Sequence, residues 1–158
     1  MYIEKYWEVS VGGSDDCYTF LEYLGAKQKE EITVTEIFEE SGIVKLQGDF
    51  RQTDVELGFM VEDFEMELHY AIDIIAVLAA LLLECKVNGS VNLQELDEMN
   101  DDFAMKLTAT EQEHAMINDA LKDFAANASE YDIAEMMMED ELQEMAEGCE
   151  ELRKELYE

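Results

Sequence analysis

Phe64-Glu65-Met66-Glu67-Leu68-His69-Tyr70-Ala71-Ile72-Asp73-Ile74-Ile75-Ala76-Val77-Leu78-Ala79-Ala80-Leu81-Leu82-Leu83-Glu84-Cys85-Lys86 changes its periodicity part-way along. Up to Tyr70, apolar and polar residues alternate, as in a strand with one packed and one wet face. From Ala71 onward apolar side chains occupy every side of a helical cylinder except near Asp73, Glu84 and Lys86, and the run Ile74 to Leu83 is unbroken. A helix of that kind belongs inside a protein. Asn88-Gly89 suits the left-handed conformation that ends such a helix. Asp73 falls in its first turn, where the helix dipole favours a carboxylate.

Upstream, Val55, Leu57 and Phe59 alternate in the same way, and Glu62-Asp63 separates them from Phe64, so the two segments read as an antiparallel hairpin. Tyr2 to Val9, Ile43 to Gln47 and Phe103 to Leu107 are the other strand candidates. Downstream, Thr110 and Glu113 form a Thr-x-x-Glu capping box, which starts a helix running to about Asn127 with Ile117, Ala120, Leu121 and Phe124 inward. A last helix begins near Glu139 and aligns Leu142, Met145, Cys149, Leu152 and Leu156. Shorter helices are predicted over Asp16 to Leu24 and Thr35 to Glu40. The chain therefore reads as α+β: a small, largely antiparallel sheet packed with helices, one central and apolar, one C-terminal, amphipathic and acidic.

Composition sets the boundaries of function. Forty acidic residues face ten basic ones, a formal charge of −30 at pH 7. Like-charge repulsion disfavours direct nucleic-acid binding or an anionic membrane and favours a basic protein as partner. With 48% apolar residues the chain is not a disordered polyanion. A chain of 158 residues can bury about 70% of its unfolded surface, and without proline or a linker-like stretch it reads as one domain, 1–158. Cys17, Cys85 and Cys149 are odd in number and far apart, which fits a reducing compartment rather than a disulfide framework. No signal peptide opens the sequence and the apolar run is too short to span a bilayer, so a cytoplasmic location is expected.

No motif for catalysis or cofactor binding stands out. GxGxxG, GKS/GKT, GxSxG and HExxH are missing, and Asp97-Glu98-Met99-Asn100-Asp101-Asp102 lacks the glycine and terminal glutamate of a calcium loop. Neither a metal nor a cofactor is expected, and the chain is read as a non-enzyme. Gly12-Gly13-Ser14-Asp15-Asp16 lies between a predicted strand and a predicted helix. Its aspartates argue against phosphate; Ser14 or Asp15 capping the helix is the ordinary reading, and an exposed Asp15-Asp16 pair near Trp7 meeting a basic partner is the other. His69 is a structural histidine or one that titrates near neutrality between carboxylates. Met136-Met137-Met138 is an adaptable binding surface or a buried helix junction.

On the last helix Asp140, Glu144, Glu147, Glu151, Glu155 and Glu158 make a second stripe opposite the apolar one. It covers roughly 27 Å at 1.5 Å per residue, a length over which one DNA strand presents about eight phosphates. A solvated face is the ordinary reading of such a run; imitation of a nucleic-acid backbone is the alternative. The candidate partner-binding residues are thus Trp7, Asp15, Asp16, Asp140, Glu144, Glu147, Glu151 and Glu155.

Tyr6-Trp7, Gly12 to Asp16, Thr19 to Leu24 and Phe64 to Asp73 together resemble a group of small acidic bacterial proteins of Firmicute type, similar to the immunity proteins of polymorphic toxin systems. The resemblance implies a cytoplasmic protein that binds and blocks one cognate toxin, and it assigns no residue roles. The expectation is an acidic inhibitor of a cationic toxin such as a nuclease. A DNA mimic that blocks a restriction or defence protein, an enzyme of unrecognised type and a salt-adapted ordinary protein are the alternatives.

Overall fold

In the computed structural model, which describes residues 1–158, six α-helices and five short strands follow the order α1 (Asp15–Lys27), β1 (Glu31–Thr33), α2 (Val34–Ser41), β2 (Leu57–Val61), β3 (Phe64–Leu68), α3 (Ala71–Asn88), β4 (Val91–Asn92), α4 (Leu93–Leu96), β5 (Ala104–Thr108), α5 (Glu111–Asn127) and α6 (Glu139–Tyr157). The architecture is α+β, as the switch of periodicity at Tyr70 predicted.

Every residue of α3 from Ala71 to Glu84 is buried. Being apolar on all sides, this helix has no face to give to water, so α1, α5, α6, β4, β5 and the N-terminal turn pack around it. Gly89 ends it at φ 86, its N–H donating to the Cys85 carbonyl. Around α3 the buried apolar side chains form one contiguous cluster. The predicted capping box opens α5: Thr110 Oγ1 accepts from Glu113 N at 3.1 Å and Glu113 Oε1 from Thr110 N at 2.9 Å. On α6, Met145, Cys149, Leu152 and Leu156 are buried as the apolar stripe required, with Leu142 at its margin.

The strands form two sheets rather than one. β2 and β3 make the expected antiparallel hairpin, with Leu57 opposite Leu68, Phe59 opposite Met66 and Val61 opposite Phe64. The other sheet has the order β1-β5-β4, and β1 pairs with β5 in parallel, Ile32 facing Leu107. Sequence gave no sign of β1, because a three-residue strand with one inward residue carries too little alternation to be seen.

Two predicted strands are helical turns. Over Tyr2 to Val9 the chain forms a 3₁₀ turn, Tyr2–Lys5, and a tight return to Val11. Its buried residues are Ile3, Tyr6 and Trp7, spaced three and four apart, so the pattern is that of a turn and not of alternation. Ile43–Leu46 is likewise a 3₁₀ turn, with Ile43 and Leu46 inward and Val44 exposed, set between left-handed residues Gly42 and Gln47. Four residues between two such reversals cannot run straight enough to pair.

Candidate functional site

The segment Trp7–Asp16 separates two concave surfaces. Val11, buried at its centre, and the glycines Gly12 and Gly13, both at φ +82, let the chain double back; a Cβ on Gly12 would meet the Trp7 ring at 2.9 Å. Ser14 then caps α1, its Oγ accepting from Cys17 N at 3.0 Å and donating to the Asp73 carboxylate.

The larger concavity is a groove of about 1300 Å³ between α1, the tip of the β2–β3 hairpin and the turn that follows α4. Seven carboxylates line it, those of Glu8, Glu22, Glu62, Glu95, Asp97, Glu98 and Asp101, and no lysine or arginine does. Interleaved with them are Tyr18, Phe64, Met66 and Met99; Phe64 is 70% and Met99 92% exposed. The turn carrying Met99 is held in place: Asn100 Nδ2 donates to the Leu21 carbonyl at 2.9 Å, and Asp97 Oδ1 accepts from Met99 N at 3.0 Å. Trp7 lies at the groove but is only 8% exposed, with its indole N–H donating to the Leu96 carbonyl at 3.3 Å. Trp7, expected among the partner-binding residues, is therefore mostly covered by the fold. Its ring supports the glycine turn and the floor of the groove, a packing role set by the close approach of Gly12.

The second cavity, about 630 Å³, brings together Asp15, Asp16, His69, Tyr70, Asp73, Glu144 and the methionines Met136, Met137 and Met145. Met136 and Met138 are exposed while Met137 packs against the core, so the methionine run is mostly surface with one residue anchored inward. Of the predicted aspartate pair, Asp15 is exposed but Asp16 is 4% exposed. Its carboxylate accepts from the His69 and Tyr70 backbone N–H groups at 2.9 and 2.8 Å and contacts His69 Nδ1 at 2.9 Å. Asp16 thus fastens α1 to the entry of α3 and is turned away from solvent, which corrects the reading of an exposed pair. That hydrogen bond raises the pKa of His69, with smaller help from the charges of Glu67 and Asp15. Asp73 does occupy the first turn of α3, yet burial pushes its carboxyl up to about 6, against the Ser14 hydrogen bond. Desolvation outweighs the hydrogen bond that would favour the charged form.

The acidic stripe on α6 is shorter in space than along the sequence. Glu155 accepts from Lys5 Nζ at 2.6 Å, Tyr6 Oη at 2.6 Å and Tyr2 Oη at 2.9 Å, which ties the N-terminal turn to α6. Glu158 pairs with the buried Arg153 at 2.7 Å. Asp140, Glu144, Glu147 and Glu151 remain exposed. Besides Lys5, four of the ten basic residues are drawn into local pairs, Lys27 with Glu36 and Glu40, Lys29 with Glu36, Arg51 with Asp123 and Arg153 with Glu150. No three His, Cys, Asp or Glu side chains converge as a metal site. The three cysteines are free, and burial raises each thiol pKa, that of Cys17 and Cys149 to about 12.

A contiguous match to the family described as Immunity protein 68, Imm68, extends over residues 2–156. The chain belongs to the Imm68 family. No curated protein and no solved structure matches it. Membership gives this Imm68 protein an immunity function and a toxin as its binding partner. No helix of the Imm68 chain is long and apolar enough to cross a membrane. Neither concavity of this Imm68 protein contains a lysine or an arginine, although the chain has ten.

Proposed function

We propose that the chain is a non-enzymatic inhibitor, folded as one domain in the cytoplasm, that blocks its toxin by laying the carboxylate-lined groove over a cationic face of that toxin. The observation that carries this reading is the segregation of charge: seven carboxylates and no basic side chain in one groove, while all ten cations lie outside it and five of them are held in ion pairs there. A nuclease fits as the target, because it gathers phosphates with Lys and Arg and a carboxylate surface can occupy the same positions. Association steered by such a field reaches about 10⁸–10⁹ M⁻¹s⁻¹ at low salt. Asp15 and Glu144, at the mouth of the neighbouring cavity, and Asp140, Glu147 and Glu151 extend the negative field without being its centre. Imitation of a DNA backbone by α6 is less well supported, since Glu155 and Glu158 are spent on internal partners. The four carboxylates left, Asp140 to Glu151, cover only about 17 Å.

The test is stopped-flow association with the cognate toxin, at salt from about 0.1 to about 1 M, over which the screening length falls from about 10 to about 3 Å. A steep fall in the on-rate, flattened when Glu22, Glu95 and Glu98 are changed together to Gln, is the expected result. An on-rate indifferent to salt, or no capture of the toxin at all, removes the proposal.

A further inference from the structure

The hairpin carries an apolar face that begins in the core and ends in the open. Its register places Leu57 with Leu68, Phe59 with Met66 and Val61 with Phe64 on one side. Along that side Leu57, Phe59, Val61 and Leu68 are buried, Met66 is half-buried and Phe64 is 70% exposed. At the root, Phe59 stacks on Tyr23 with ring centroids 3.9 Å apart. At the tip the chain covers Val61 but leaves Phe64 open, and Phe64, Val61 and Met66 line the groove with Leu96 and Met99. Phe64 is therefore a core-side residue whose packing partner the chain itself does not supply. Around it none of the seven groove carboxylates takes part in any of the molecule's ion pairs.

We infer that Phe64 and Met99 are the anchor of the groove, and that they receive a segment of the partner in which an apolar side chain is set between arginines. The apolar side chain completes the hairpin face, the guanidinium groups meet the surrounding carboxylates, and an arginine is free to stack on the Phe64 ring. An aromatic anchor ringed by polar groups is the arrangement from which a few residues dominate binding. Charge complementarity selects this occupant over a second copy of the chain, whose surface carries the same sign. The identity of the partner as a toxin rests on the preceding proposal; the chemistry of the segment rests on the groove.

The single tryptophan of the chain, Trp7, lines the groove, so its emission reports occupancy. Titration with the synthetic peptides Arg-Leu-Arg-Leu-Arg and Arg-Gly-Arg-Gly-Arg separates the apolar contribution from the ionic one. The leucine peptide is expected to bind about tenfold more tightly. Phe64→Ala, at an exposed position, is expected to erase that preference. Met60→Ala is expected to keep it, because Met60 pairs with Glu65 on the opposite face of the hairpin. Equal binding of the two peptides, binding of neither, or a preference that survives Phe64→Ala overturns the inference while leaving toxin capture, read in the separate association experiment, untouched. A Phe64-dependent preference in a chain that fails to capture the toxin sustains the groove chemistry and refutes the inhibitor reading.

Discussion

Asp73 offers the sharpest quantitative test of the fold. Its side chain sits in the first turn of α3, 5% exposed, with Ser14 as its hydrogen-bond donor. Burial, with a smaller contribution from the charge of Asp16, raises its pKa from the ordinary 3.8 to about 6. Because the folded value lies above the unfolded one, the folded state holds the extra proton between about pH 4 and about pH 6. The contribution of Asp73 to stability is therefore most favourable below about pH 4 and declines as pH rises through 6. At about 1.4 kcal/mol per pH unit the decline is about 3 kcal/mol. Asp73→Asn keeps an oxygen that accepts from Ser14 and removes the charge, so it abolishes the decline. Any constant cost of the buried amide cancels when the variant is compared with wild type at two pH values. Urea denaturation at about pH 4 and about pH 7 measures both. The variant should gain about 3 kcal/mol on wild type between the two conditions, and a difference independent of pH, or one of opposite sign, refutes the assignment of burial as the dominant influence on this carboxyl.

Other consequences follow from individual contacts. Glu155→Gln releases Lys5 and weakens the bonds from Tyr2 and Tyr6; a loss of about 1–3 kcal/mol in urea denaturation, with faster amide exchange over residues 2–7, is expected. Gly148→Ala drives a Cβ into the Ser10 side chain, which should cost about 1–3 kcal/mol; Ser10→Gly in the same chain should recover most of it by thermal melting. Arg51 holds the Asp123 carboxyl well below the usual carboxylate range. That pair contributes stability present above the unfolded pKa of about 4 and lost as pH falls, so Arg51→Ala should narrow the loss of stability on acidification, measured by the same denaturation series.

How far the site could be read in advance depended on the distance over which each residue is positioned. Helix identities were legible because capping and stripes are local: Thr110 with Glu113, Asn88 with Gly89, and Met145 with Cys149 each act within one or two turns. The 3₁₀ turns at Tyr2–Lys5 and Ile43–Leu46 were misread as strands because short apolar runs fit either period, and only the burial of Ile3, Tyr6 and Trp7 shows which one applies. Glu62 looked like a polar turn and Asp97 to Asp101 like a failed calcium loop; the sequence holds no sign that they meet Glu8 and Glu22 in one groove. Asp16 was taken as surface because its partners, His69 and Tyr70, are more than fifty residues away.

The amino-acid sequence alone determined the sign and size of the charge, the central position of α3 and the α+β class. Net charge is a sum over residues, and an all-apolar helix must be interior whatever surrounds it. Tertiary structure alone decided which of forty acidic residues face outward together, because that depends on α1, the β2–β3 hairpin and the turn after α4 converging across the fold. It also decided that Phe64, on the packed side of its strand, lies beyond the reach of the core. Alternation orients a side chain toward one face of a sheet, but only the neighbouring elements determine whether that face is covered.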